Sequence, residues 1–161
     1  MSDRKPLYSF WGPRYWPTWI GLAVLRLICL LPHRLTMGLS RLLGRLAHRL
    51  AGTRRAIVRR NIELCFPDFS TEERDTMARR HFEALGMSLI EMGLARWASD
   101  RLHLRIGKVQ GFEHVEKPLA EGKGIILLSA HFTTLEISGR EMALRLPAFD
   151  AVYRKNRSEF I

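Results

Sequence analysis

A short run of uncharged apolar residues is the feature that most constrains the fold of this chain. Residues 125–128 are apolar at four consecutive positions, which is the pattern of a strand buried on both faces of a parallel sheet. Thr133 and Thr134 follow as N-cap candidates for a helix over residues 135–146. A strand that leads directly into a helix is the repeating unit of α/β folds. The run therefore predicts an α/β fold.

Two residues at the predicted strand-to-helix junction are candidates for chemistry. His131 follows the strand, and Glu136 lies near the start of the helix. Ligands in α/β folds bind at the carboxyl ends of the strands. A carboxylate that accepts one ring N–H of a histidine leaves the other ring nitrogen free to take a proton. The pattern predicts a general base, His131, oriented by Glu136. The alternative is a structural histidine beside an acid that interacts with the helix dipole.

The same residues carry a family resemblance. His131 and Glu136 match the His-x4-Asp/Glu motif of the glycerolipid acyltransferase superfamily, and the chain more closely resembles the lipid A late acyltransferases. Four further segments resemble that family in the same order and with similar spacing: PRYWPTWIG at 13–21, RRNIELCFP at 59–67, GMSLIE at 86–91 and VYR at 152–154.

The resemblance implies an O-acyltransferase with a glycerolipid-acyltransferase-like α/β sandwich. It implies transfer of a fatty acyl chain from an acyl carrier protein thioester to a hydroxyl of a Kdo–lipid A precursor, without a metal or other cofactor. His131 is the expected base and Glu136 its orienting acid. Arg154 is expected to contact a substrate phosphate or an acid of the carrier protein, whereas Arg157 is interpreted as a solvated charge. The expected location is the cytoplasmic face of the inner membrane.

Length adds an expectation about domain organisation. The chain has 161 residues, about half of what the resemblance implies for a whole enzyme. We predict membrane-anchoring and basic amphipathic helices over residues 1–60, and the first part of an acyltransferase domain over residues 61–161. On this interpretation the 161 residues are a fragment without turnover of their own. Two alternatives stay open, a non-catalytic membrane-binding fragment and a phospholipid-type acyltransferase that acts on another lipid hydroxyl.

The charge distribution indicates the kind of partner. Residues 1–60 contain eleven arginines and one lysine but a single acid, whereas residues 61–161 contain fourteen basic and fifteen acidic side chains. Such asymmetry is typical of proteins that bind nucleic acid or an anionic bilayer. The sequence has no zinc-ligand set, RNA-recognition motif or heptad array. We therefore expect an anionic inner-membrane surface as the partner and no nucleic acid.

Two N-terminal segments have membrane-like patterns. Residues 16–31 are apolar except for Thr18, Gly21 and Arg26. A spanning helix needs about 20 apolar residues and tolerates a central arginine poorly, so a single span is only slightly favoured over an interfacial helix. The following segment predicts a helix with one basic arc and one leucine arc. The basic arc contains Arg34, Arg41, Arg45, His48 and Arg49, and the leucine arc contains Leu35, Leu39, Leu42, Leu43, Leu46 and Leu50. In the alternative interpretation the leucines pack into a protein core.

The remaining chain predicts a scaffold. Ser70 and Glu73 form a capping-box pattern before a helix over residues 74–97, with Gly86 and Gly93 as its weak points. We also predict a connector at 100–105, strands at 109–111 and 151–154, and a helix at 113–121. Cys29 and Cys65 are predicted to be buried free thiols. The histidine and acid spacings do not suggest a metal site.

Overall fold

The computed structural model describes residues 7–146 and 148–152, and this part of the chain is helical. Two 3₁₀ turns, Leu7–Phe10 and Pro13–Tyr15, precede the α-helices. The helices are α1 (Trp16–Cys29), α2 (His33–Leu50), α3 (Gly52–Cys65), α4 (Thr71–Trp97), α5 (Asp100–Ile106), α6 (Glu113–Ala120) and α7 (Leu135–Ala143).

The predicted α/β fold is wrong, because none of the described residues forms a β-strand. Residues 125–128 belong to an unpaired segment in which Ile126 and Leu128 are each 96% exposed. The stretch 109–111 and the described residues Ala151 and Val152 are also unpaired. A strand needs a neighbour for its N–H and C=O groups. Apolar composition favours an extended chain but does not supply that neighbour.

Helix α4 is the central element. The predicted capping box is confirmed: the Ser70 hydroxyl accepts from the Glu73 N–H at 3.3 Å, and the Glu73 carboxylate accepts from the Ser70 N–H at 2.8 Å. Helix α2 packs against α4 most extensively, and α1, α3 and α7 also contact it. The α4 residues Ala78, Phe82 and Ile90 are almost completely buried. The fold is therefore a set of helices packed on one long axis.

The crossing of α2 and α4 depends on two glycines. A Cβ atom added to Gly44 would lie 2.6 Å from the Glu83 Cα, and one added to Gly86 would lie 2.7 Å from the Gly44 nitrogen. Ordinary van der Waals contact begins at 3.4 Å. Gly86, predicted as a weak point, does not interrupt α4 and lies where the two backbones approach each other.

Helix α2 turns its small residues inward and its leucines outward. Thr36, Ser40 and Gly44 are its buried residues. The Thr36 hydroxyl has carbonyl acceptors at 3.2–3.4 Å, and the Ser40 hydroxyl donates to the Met37 carbonyl at 2.8 Å. These bonds satisfy the buried hydroxyl groups. All six leucines of the predicted leucine arc are exposed, from 36% to 75%. The alternative in which they fill a core is wrong.

Helix α1 does not have the dimensions of a membrane span. It has 14 residues, and no helix in the described ranges is long and apolar enough to cross a bilayer. The slightly favoured single span is therefore wrong for this part of the chain. Arg26 has another role, because its guanidinium donates to the Trp97 carbonyl at 3.3 Å and lies 5.8 Å from the centre of the Trp97 ring. A basic side chain at the last carbonyls of a helix stabilises that end, so Arg26 joins α1 to the end of α4.

Two smaller predictions also need correction. Residues predicted as a connector form helix α5, whose first turn is capped by the Ser99 hydroxyl accepting from the Leu102 N–H at 3.3 Å. Cys65 is exposed rather than buried, whereas Cys29 is partly buried. The proposed division of the chain at residue 60 stays a prediction.

Candidate active site

The candidate pair lies at the start of α7. His131 is in the unpaired segment just before the helix, and Glu136 is its second residue. Thr134 occupies the predicted N-cap position, although its side chain makes no capping hydrogen bond. The chain reaches the helix through a bond from the Phe132 N–H to the Ala130 carbonyl at 2.9 Å. One helix end therefore carries both candidate residues.

Both side chains are solvent-exposed. Within residues 7–146 and 148–152, no hydrogen bond or ion pair joins the His131 ring to the Glu136 carboxylate. The structure thus places the two residues on the same short stretch without bonding them to each other. Their roles as base and orienting acid stay predictions. Arg154 and Arg157 lie outside the described residues.

A buried ionic cluster ties α7 to the rest of the molecule. His103 of α5 is fully buried, and Glu141 of α7 is 5% exposed. The His103 Nδ1 lies 3.2 Å from the Glu141 Oε1, and its Nε2 lies 3.2 Å from the Leu94 carbonyl oxygen. The Arg145 guanidinium donates to the Glu141 Oε2 at 2.5 Å and to the Gly107 carbonyl at 3.4 Å. Glu141 is therefore held from two sides.

Sequence reasoning missed this cluster. The spacing of Glu141 and Arg145 matches a helical i, i+4 ion pair, which was a usable signal. Nothing in the local pattern indicated that His103, 38 residues earlier, would complete the cluster. A helix assignment for residues 100–106 would have placed His103 on a folded element.

The best-formed groove in the described part of the chain is elsewhere. It lies between α3 and α4, has a volume of about 230 Å³, and is lined mainly by apolar side chains that include Val58, Ile62 and Phe66. Neither His131 nor Glu136 lines it. No group of three or more His, Cys, Asp or Glu residues in the described ranges is arranged to hold a metal.

The N-terminal helices present an apolar surface beside a basic one. On α1, Trp16, Ile20, Val24 and Leu27 are at least half exposed and recur at helical spacing. The exposed leucine arc of α2 adds to this surface. The basic arc of α2 lies beside the leucines, but it is not wholly free, because the Arg45 Nε lies 2.7 Å from the Glu83 Oε1.

Comparison with known proteins decides the family. The model of the bacterial lipid A biosynthesis acyltransferases matches residues 4–161. The chain belongs to this family. The resemblance inferred from the sequence is thus confirmed.

Several curated relatives agree with this assignment. The lipid A biosynthesis lauroyltransferase of Escherichia coli K12 is 42% identical over 149 residues, which is 92% of this chain and 48% of that protein. The palmitoleoyltransferase of the same organism is 36% identical, over 95% of this chain and 50% of the relative. The myristoyltransferase is 30% identical, over 94% and 51%. The chain spans about half the length of the curated relatives it matches. No solved structure matches it.

Proposed function

We propose that this lipid A biosynthesis acyltransferase transfers a fatty acyl chain from an acyl carrier protein thioester to a hydroxyl of a Kdo–lipid A precursor. The observation that carries the proposal is the exposed His131-x4-Glu136 pair at the start of α7, in a chain that matches the family over residues 4–161. No metal or other cofactor enters the proposed reaction.

The proposed chemistry uses one proton transfer and one acyl transfer. His131 takes the proton of the acceptor hydroxyl as the hydroxyl oxygen attacks the thioester carbonyl. The C–S bond then breaks, the new ester keeps the acyl group, and the departing thiolate takes the proton from the imidazolium. Glu136 orients the ring and stabilises its charged form. Because the alcohol attacks directly, the enzyme needs no nucleophilic serine or cysteine of its own.

Formation of the His131–Glu136 contact is part of the proposal. Both side chains are exposed in the free chain, and catalytic hydrogen bonds in free enzymes are often long and tighten when substrate binds. The two residues lie five positions apart at a helix start, so a rotamer change of the Glu136 side chain towards His131 needs no refolding. Arg154 is proposed to contact a phosphate of the acceptor or an acid of the carrier protein.

The test measures acyl transfer by the full natural polypeptide that contains this sequence. His131→Ala and Glu136→Ala should each lower the rate by about 100-fold or more. The matched controls are His114→Ala and Glu116→Ala, an exposed histidine and acid on α6, which should leave the rate unchanged. A normal rate for His131→Ala would remove it from the mechanism. Transfer to a phospholipid hydroxyl but not to the lipid A precursor would favour the phospholipid-type alternative. Absence of transfer to either acceptor would favour a non-catalytic membrane-binding protein.

We also propose that α1 and α2 bind the anionic cytoplasmic surface of the inner membrane. Their exposed apolar side chains would enter the headgroup layer, with the α2 arginines at lipid phosphates. Arg41 and Arg49 suit this role because, within the described residues, their side chains make no ion pair with the protein.

Vesicle binding tests the membrane contact. Arg41→Gln and Arg49→Gln should each weaken binding to anionic vesicles by about 1 kcal/mol, with a smaller effect at high salt. Arg80→Gln and Arg101→Gln remove the same charge from exposed positions on α4 and α5, and they should weaken binding less. Equal effects at all four positions would show that net charge, rather than the α2 surface, governs the affinity.

A further inference from the structure

The helix that carries Glu136 is held in place by a second acid on the same helix. Glu136 and Glu141 are five residues apart, so their side chains leave α7 about 140° apart. Glu141 is buried against α4 and α5, whereas Glu136 is exposed. The contacts of Glu141 therefore determine the direction in which Glu136 faces.

The support of Glu141 comes from three parts of the chain. Leu94 at the end of α4 accepts from the His103 ring, His103 lies on α5, and Gly107 follows α5. A Cβ atom added to Gly107 would lie 2.5 Å from the Glu141 Oε1. The carboxylate thus rests directly on backbone, and it has little room to shift.

By contrast, the segment before α7 gives His131 little support. Ile126 and Leu128 are each 96% exposed, and residues 123–132 form no helix or strand. In the described part of the chain, α7 is the packed element nearest to the candidate pair, and it contacts α4. A second tie on α7, the ion pair of Arg140 with Asp100, is largely exposed, with side-chain exposures of 35% and 63%. The buried cluster is therefore the stronger constraint.

We propose that Glu141, held by His103 and Arg145, is a positioning residue that fixes the orientation of α7 and so aims Glu136 at His131. The inference rests on the proposed function of that pair. A paired charge buried among neighbours of fixed geometry stabilises a fold weakly but specifies an arrangement. Displacing a catalytic group by about 1 Å costs up to about 100-fold in rate.

The experiment perturbs the cluster in two independent ways in the full natural polypeptide. Glu141→Gln keeps the shape of the side chain and removes its charge, whereas Gly107→Ala pushes on the carboxylate without changing any ionisable group. At a temperature where circular dichroism shows both variants folded, each should lower kcat by about 10- to 100-fold. KM for the acyl donor should change by less than about twofold. Arg140→Ala, which removes the exposed ion pair on the same helix, is the control and should leave kcat within about twofold.

A double-mutant cycle separates positioning from a structural role. If Glu141 acts through Glu136, adding Glu141→Gln to Glu136→Ala should cause little further loss of kcat. Losses that multiply, or wild-type kcat in both folded single variants, would overturn the inference. His131→Ala distinguishes these failures from failure of the proposed function, because a fully active His131→Ala enzyme would contradict the catalytic pair itself. If either single variant does not fold, the other variant and the cycle on it decide the question.

Discussion

Gly44→Ala tests the close crossing of α2 and α4, because the structure predicts opposite signs for two glycine substitutions on one helix. A Cβ atom at Gly44 would lie 2.6 Å from the Glu83 Cα, 2.9 Å from the Phe82 carbonyl carbon, and closer still to the Phe82 oxygen. All three are backbone atoms. The helices must separate by at least about 0.8 Å to reach the 3.4 Å at which ordinary contact begins.

The magnitude follows from two opposing terms. Replacing glycine by alanine inside a helix stabilises by about 1 kcal/mol through helix propensity. Overpacking that forces a backbone shift costs about 1–3 kcal/mol, occasionally more. Because the clash at Gly44 is with backbone, the upper part of that range applies. The net effect is a loss of about 1–2 kcal/mol, which lowers Tm by about 2–8 °C for a chain of this size.

Gly38 provides the matched control. It lies on the same helix, is exposed, and has nothing within 4 Å of an added Cβ atom. Gly38→Ala should therefore raise Tm by about 2–4 °C through propensity alone. Thermal unfolding followed by far-UV circular dichroism measures both variants. A rise in Tm for Gly44→Ala similar to that for Gly38→Ala would refute the close crossing.

Three further predictions concern individual side chains. Ser70→Ala should destabilise the chain by about 1 kcal/mol in urea unfolding, because it removes the α4 cap; hydrogen bonds from the Ser70 N–H and hydroxyl lower the pKa of Glu73, so the contribution of Glu73 should be present at neutral pH and disappear as the pH falls through that lowered pKa. Burial raises the pKa of the Glu91 carboxyl, and its Oε2 is buried without a hydrogen-bond partner in the described residues. Glu91→Gln should therefore raise Tm by about 1–2 °C above that raised pKa, with no gain below the ordinary carboxyl pKa, where both folded and unfolded states are protonated; an equal gain at all pH values would contradict the assignment. Burial also raises the pKa of the Cys29 thiol against the opposing effect of Arg26, so iodoacetamide should modify exposed Cys65 well before Cys29, as mass spectrometry of timed samples will show.

The parts that the sequence predicted well were those decided by neighbouring residues. The cap formed by Ser70 and Glu73 depends on a spacing of three positions, and the structure has it. The start of α7 at Leu135 follows from Thr134 at its N-cap position. Such features need no knowledge of distant contacts.

The parts that were predicted wrongly depend on partners far along the chain. Residues 125–128 have the composition of a buried strand, but pairing requires a second strand that no described residue supplies. The burial of His103 depends on Glu141, and neither residue is remarkable in its own segment. The orientation of α2 was misjudged in one alternative because glycine at a helix crossing can favour packing more than leucine does. The candidate pair was located by its spacing, whereas its geometry awaits the measurements proposed above.

The division of labour on α2 has a practical consequence. The residues that hold this helix in the fold are Thr36, Ser40 and Gly44, and none of them belongs to the exposed leucine arc. Fold and surface are therefore encoded by separate residues of one helix and can be altered independently. A water-soluble version of the chain is accessible by replacing exposed leucines such as Leu42 and Leu46 with glutamine, while the α2–α4 crossing is left intact. Such a protein would keep the framework around α7 and lose only the surface meant for lipid.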